Sequence, residues 1–253
     1  MKLAMFDLSG KVALVTGGYS GLGYAFSGAL AKAGADIVLC ARNFDRCRET
    51  CSEIEKFGVK TLAIRCDVSN VLDVDNLIEA TLKKFGRIDI LVNNAAIFVG
   101  GKHVVDMDDE DWDRTLAVAL RGSFLCCRAA ARGMIKQGEG KIINVASAAS
   151  FKAIAGMSAY SAAKAGLIML TKTLALELAK HNIQVNALSP GYLLTNFNRD
   201  FFETEAGKKL ISSWPRRRIG NPGELKGAIV FLASSASNYM TGSEIIIEDG
   251  QTL

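Results

Sequence analysis

Tyr160 and Lys164, in the stretch Tyr160-Ser161-Ala162-Ala163-Lys164, are four residues apart and share one face of any helix that carries them. A cationic amine beside a phenol favours the phenolate and lowers a pKa that is ordinarily about 10. Such a phenol can exchange a proton with a substrate oxygen near neutral pH. Ser147 stands thirteen residues before Tyr160, just past an apolar run, and its hydroxyl is available to the same oxygen. The Y-x-x-x-K spacing alone is common on helices. It gains specificity only from the upstream Ser and from a second chemical element near the start of the chain.

That element is Thr16-Gly17-Gly18-Tyr19-Ser20-Gly21-Leu22-Gly23, which follows a short apolar run and opens a helical pattern. Glycines let the turn take positive φ and let its backbone approach a pyrophosphate. The helix beyond it offers unpaired amides and its dipole to the anion. Position at a strand–helix junction is the context that makes such a glycine string a nucleotide site. The end of the next apolar run reads Leu39-Cys40-Ala41-Arg42-Asn43. An acidic residue there would accept from a ribose 2′-hydroxyl, whereas an Arg accommodates a 2′-phosphate. Ala41 occupies the acidic position and Arg42 follows, with Asn43 beside it, so NADP(H) is favoured over NAD(H).

These residues must be positioned by alternating elements. Apolar, β-branched runs at 11–16, 36–41, 61–66, 88–93, 141–146, 184–188 and 244–248 predict strands. Segments 21–33, 44–57, 71–85, 109–136 and 158–180 repeat apolar residues three and four apart and predict helices. Near-continuous apolar strands between helices predict a doubly wound α/β fold around a parallel sheet. No linker or repeat divides residues 1–253, so a single domain is expected. The stretch at about 191–220 breaks the rhythm with Tyr192, Phe197, Phe201, Phe202 and Trp214, and is expected to be a substrate-binding loop. Its Arg216-Arg217-Arg218 run reads first as a solvated face and second as a guide for an acidic substrate.

Composition excludes several classes. The 253 residues carry a formal charge of only +4, spread along the chain, which does not signal nucleic acid. No apolar run reaches membrane-spanning length and no signal peptide is evident, so a cytoplasmic protein without membrane contact is expected. Six cysteines without a C-x-x-C pair, and two histidines, predict buried free thiols and no metal. The acidic cluster at Asp106, Asp108, Asp109, Glu110 and Asp111 suits a helix N-terminus.

From about Leu8 onward the chain resembles the short-chain dehydrogenase/reductase family. The resemblance rests on the Thr16–Gly23 string, Cys66-Asp67-Val68, Asn93-Asn94-Ala95, Ser147, Tyr160 with Lys164, and Pro190-Gly191 with Thr195. It is similar in strength to 3-oxoacyl-carrier-protein reductases and to gluconate 5-dehydrogenase-like members. It implies a Rossmann-like, seven-stranded parallel sheet of order 3-2-1-4-5-6-7 and a homo-oligomer, tetramer or dimer. It also implies hydride transfer between a nicotinamide and a secondary alcohol or ketone. Tyr160 would act as acid/base, Ser147 as partner of the substrate oxygen, and Lys164 as ribose ligand and electrostatic tuner. Gly17, Tyr19, Ser20, Gly21, Leu22 and Gly23 would line the pyrophosphate, and Asp67 and Val68 the adenine. Asn93 and Ala95 would lie along the cofactor, with Pro190, Gly191 and Thr195 toward the nicotinamide. Two positions depart from the family pattern: Ala96 replaces a Gly, and Ala119 replaces the Asn that completes a catalytic tetrad. Ala119 keeps open an alternative, a nucleotide-binding protein with reduced or lost catalysis.

Overall fold

The computed structural model describes residues 3–195 and 198–253; Phe197 lies outside them. The strands are β1 (Val12–Thr16), β2 (Asp36–Ala41), β3 (Thr61–Arg65), β4 (Ile90–Asn93), β5 (Gly140–Val145), β6 (Ile183–Pro190) and β7 (Glu244–Ile247). They form one parallel sheet in the order β3-β2-β1-β4-β5-β6-β7, as the resemblance implied. Every residue of β1 is buried, because alternate side chains enter cores on opposite faces. Val12 and Leu14 join Val38, Leu91, Ile142 and Val185 beneath α3 (Val71–Phe85) and α5 (Ser123–Gln137). Ala13 and Val15 join Ile37, Val92 and Ile143 beneath α1 (Gly21–Lys32), α2 (Phe44–Ile54) and α9 (Lys226–Ala233). Each Val, Leu and Ile side chain among them contributes about 1.5–3 kcal/mol when fully buried. β1 pairs with β2 on one side and β4 on the other, so the strand order reverses there. A crevice opens at the carboxyl ends of strands at such a reversal.

Local signals set the helix ends. Asn70 accepts hydrogen bonds from the amides of Leu72 and Asp73 at the start of α3, and Gly86, at φ 75°, ends it. The acidic cluster fills the first turn of α4 (Asp109–Leu116), and Lys102 pairs with Asp108 and Asp111 at 2.6 Å each. The helix expected over 109–136 is not continuous. After α4 comes a π-helical turn, Ala117–Gly122, and only then α5. Gly122 presses on Val68; a Cβ there would lie 2.8 Å from Val68 Cγ2. A pattern of three- and four-residue spacing does not register one extra residue in a turn, so the sequence reading missed it.

Residues 191–222 contain two helices, α7 (Arg199–Glu203) and α8 (Glu205–Ser213), with the Thr204 hydroxyl accepting from the Gly207 amide. The sequence reading had treated the whole stretch as loop. It also missed α9, whose sequence Lys-Gly-Ala-Ile-Val-Phe-Leu-Ala is apolar on almost every side and shows no helical stripe. The remaining long helix, α6 (Ser158–Leu178), carries Tyr160 and Lys164 in its first two turns. The six cysteines are free and buried. Among the described residues no helix is long and apolar enough to cross a membrane, and no cluster of His, Cys, Asp or Glu could hold a metal.

Candidate active site

The glycine turn is built by close contact. Gly17 sits at φ +63°, and a Cβ on Gly23 would come within 2.2 Å of the Gly17 carbonyl oxygen, so α1 packs directly beneath the turn. Ser20 caps α1 with no side-chain hydrogen bond and the first turn has no acidic residue, which leaves the helix amides available to an anion. The turn is latched to β4. Thr16 Oγ1 accepts from the amides of Asn94 (3.0 Å) and Ala95 (2.9 Å), while the Asn94 side-chain amide donates to the carbonyls of Thr16 (3.0 Å) and Gly17 (3.3 Å).

From this turn a groove of about 580 Å³ runs across the strand ends. It brings together Gly17, Tyr19, Ser20, Arg42, Asn43, Asp67, Val68 and Ala95 from the sequence expectation, together with Asn94, Ala96, Ile97 and Val118. The Arg42 side chain is exposed, and Asn43 also caps α2 by accepting from the Arg46 amide. Burial opposes ionisation of Asp67. Two hydrogen bonds from Ser69 and the charges of Arg42 and Arg114 outweigh it, so its carboxyl lies below the ordinary value. Leu22 and part of Tyr19 pack into the core under α1, and Gly21 and Gly23 act through the backbone. Thr195 reaches the same turn: its Cγ2 would be 3.5 Å from a Cβ on Gly21. The Asn93 side chain, however, turns inward, donating to Cys127 Sγ (3.1 Å) and Asn144 Oδ1 (2.9 Å), away from the groove-lining set.

The second half of the site lies at the ends of β5 and β6. Ser147 begins a short 3-10 turn and accepts from the Ala149 amide at 3.1 Å. Its hydroxyl lies on the same side as the Tyr160 phenol, whose ring meets Phe98 edge-on at 5.7 Å. Lys164 is 2% exposed; its Nζ donates to the Val145 carbonyl at 2.7 Å and lies 5.6 Å from the Tyr160 ring centre. Burial pushes the Lys164 ammonium down to about 8. Burial also pushes the Tyr160 phenol up; the Ser147 hydrogen bond opposes this and the nearby Tyr192 phenol adds to it. Burial therefore sets the direction for Tyr160, opposite to the lowering by Lys164 expected from the sequence. Ala119 is fully buried inside the π-turn, and its carbonyl accepts from the Ser123 hydroxyl at 2.9 Å. Gly191 admits no side chain, because a Cβ would meet Gln251 Oε1 at 2.4 Å.

Sequence reasoning quoted Asn94 only as part of a motif, without a role, and did not single out Gln251 or Phe98. Asn94 carried a usable signal, since an Asn just past a strand end is a turn-former. Gln251 carried none, because only the folded chain brings residue 251 beside residue 192. The arginine run is partly absorbed by structure: Arg216 pairs with Asp249 (2.7 Å), and Arg218 with Glu224 (2.8 Å) and Asp249 (2.7 Å).

A parallel sheet reversing at β1/β4, a glycine turn in that crevice and a Ser–Tyr–Lys group at the next strand ends define a nucleotide-dependent oxidoreductase architecture. The family model described as enoyl-(acyl carrier protein) reductase matches residues 17–252. The chain is 38% identical over 252 residues to 2-dehydro-3-deoxy-D-gluconate 5-dehydrogenase of Dickeya dadantii, covering 99% of this chain and 98% of that one. It is 39% identical to 3-oxoacyl-[acyl-carrier-protein] reductase of Synechocystis, covering 98% and 100%. To NAD-dependent glycerol dehydrogenase of Listeria innocua it is 35% identical, covering 98% and 96%. Its fold matches a gluconate 5-dehydrogenase from Burkholderia cenocepacia, solved with NADP and tartrate, with TM-score 0.93 and 36% identity over 98% and 97% of the chains. The chain belongs to the short-chain dehydrogenase/reductase family of oxidoreductases.

Proposed function

We propose that this chain is an NADP(H)-dependent carbonyl reductase or secondary-alcohol dehydrogenase acting on a small substrate, with Tyr160 as its acid/base. The observation that carries the reading is the Ser147–Tyr160–Lys164 group on the same sheet edge as the nucleotide groove. A bound nicotinamide would supply or accept the hydride. Ser147 would hold the substrate oxygen, Tyr160 would give it or take from it a proton, and Lys164 would hold the ribose from its anchor on Val145. The helix amides beyond Ser20 would receive the pyrophosphate and Arg42 the 2′-phosphate. The described residues 191–195 and 198–220 would form the substrate-binding loop.

Assembly as a homo-oligomer is part of this proposal. Exposed Phe124 and Ile135 on α5, and Met169 and Leu176 on α6, support it, and light scattering tests it. Titration with NADPH and then NADH, followed by a screen of ketones, sugar acids and acyl thioesters, tests the activity. Preference for NADPH with turnover is expected, and Tyr160→Phe should remove most turnover while nucleotide binding stays near wild type. Binding without turnover would favour the reading that Ala119 has disabled catalysis, and Ala119→Asn should then restore it.

A further inference from the structure

We propose that Lys141 is a modification site: its amine lines a pocket at the amino ends of the strands and accepts an acyl group from a small, uncharged acyl thioester.

The pocket, of about 170 Å³, lies where β4, β5 and β6 begin, beside the turn that follows α9. Lys141 is the second residue of β5; Ser147 is six residues on, roughly 20 Å away along extended chain, so the pocket is separate from the candidate active site. Asp7, Lys11, Asp89 and Glu139 are the charged groups that share the lining with Lys141. Those charges are already matched. Lys11 and Arg87 both pair with Asp89 and with Glu139, the latter at 2.8 Å from each, and Asp89 also accepts from the Val12 amide. Asp7 accepts from the amide and hydroxyl of Ser9. Lys141 differs. Its Nζ donates to the Ser237 hydroxyl at 3.1 Å, and among the described residues no carboxylate pairs with it.

A neutral hydroxyl does little to hold a proton on an amine. Burial first, and the charge of Lys11 second, lower the Lys141 ammonium to about 8. Near that pH about half of Lys141 is the free amine, the nucleophilic form. Its lone pair attacks the thioester carbonyl carbon. A C–N bond forms, the C–S bond breaks, and the departing thiolate takes the proton that nitrogen loses, leaving an amide and a thiol. The amide is uncharged where burial disfavours charge. Three carboxylates in the lining disfavour an anionic acyl donor, which selects the uncharged thioester.

The test incubates the whole protein with S-acetyl-N-acetylcysteamine from pH 7 to 10 and reads acetylation of each lysine by peptide mass spectrometry. At pH 8 Lys141 should be acetylated roughly tenfold faster than the exposed Lys56 and Lys60, a larger neutral fraction outweighing a weaker nucleophile. Its rate should level off above pH about 9. A rate at pH 8 no greater than those of Lys56 and Lys60, or one still climbing at pH 10, would overturn the proposal. In urea the advantage should vanish; its survival would assign the reactivity to local sequence and overturn the folded pocket as its cause.

Discussion

Lys164 holds a charge where the fold disfavours one. Its ammonium has the Val145 carbonyl as partner, is almost wholly buried, and titrates near 8 instead of 10.5. Between pH 8 and 10.5 the unfolded chain therefore binds the extra proton, and folding stability rises with pH through that window. Below pH 8 both states are protonated and the full cost, on the order of 3 kcal/mol, is present. Lys164→Met should be more stable than wild type at pH 7, and that difference should shrink as pH rises toward 10, read by urea unfolding. Arg42 makes a simpler case. Arg42→Ala should weaken NADPH binding by about ten- to a hundredfold, the scale of one hydrogen-bonded charge, and leave NADH nearly untouched. Equal loss for both nucleotides would remove the 2′-phosphate role.

At the scale of elements, α1 contains its own control. Gly23 and Gly28 lie on the same helix, but a Cβ on Gly23 meets the Gly17 carbonyl oxygen, whereas nothing lies within 4 Å of one on Gly28. Gly23→Ala should cost about 1–3 kcal/mol through forced overpacking and weaken nucleotide binding more than tenfold. Gly28→Ala should be neutral or stabilising by about 0.5–1 kcal/mol. Thermal unfolding with and without NADPH distinguishes the two. The same helix shows what was legible in advance: glycine spacing and a strand before it were enough to place the turn. The π-turn at Ala117–Gly122 was not legible, because the close approach of Gly122 to Val68 joins residues far apart in the chain. Nor was the inward turn of Asn93, whose partners Cys127 and Asn144 come from α5 and β5. The pKa relation of Tyr160 and Lys164 failed for a related reason. Spacing gives proximity, but burial, which decides the sign, comes from the whole fold.

Across the whole molecule, the C-terminal segment braces the candidate substrate loop. Gln251 grips Tyr192, Asp249 pairs with Arg216 and Arg218, and Lys152 donates to the Gln251 carbonyl at 2.8 Å. Removing residues 249–253 should expose α7 and α8 to trypsin at Arg199, Lys208 and Lys209, and abolish turnover. Nucleotide affinity should fall little, because Arg42, Asp67 and the glycine turn line a groove to which residues 249–253 contribute no lining residue. Mass spectrometry of the fragments and an NADPH titration check both halves.

The thiols described in the core also make the protein its own stopwatch. Cys40 and Cys66 floor the groove near the strand ends, while Cys126 and Cys127 lie on the buried face of α5. A hydrogen bond with Cys66, together with burial, raises the Cys40 thiol well above the usual range, and burial raises Cys126 and Cys127, the latter to about 12, so an alkylating reagent must wait for the chain to open. Labelling of Cys40 and Cys66 would time the breathing of the nucleotide edge, and labelling of Cys126 and Cys127 the parting of helix from sheet. Added NADPH should slow the first clock more than the second.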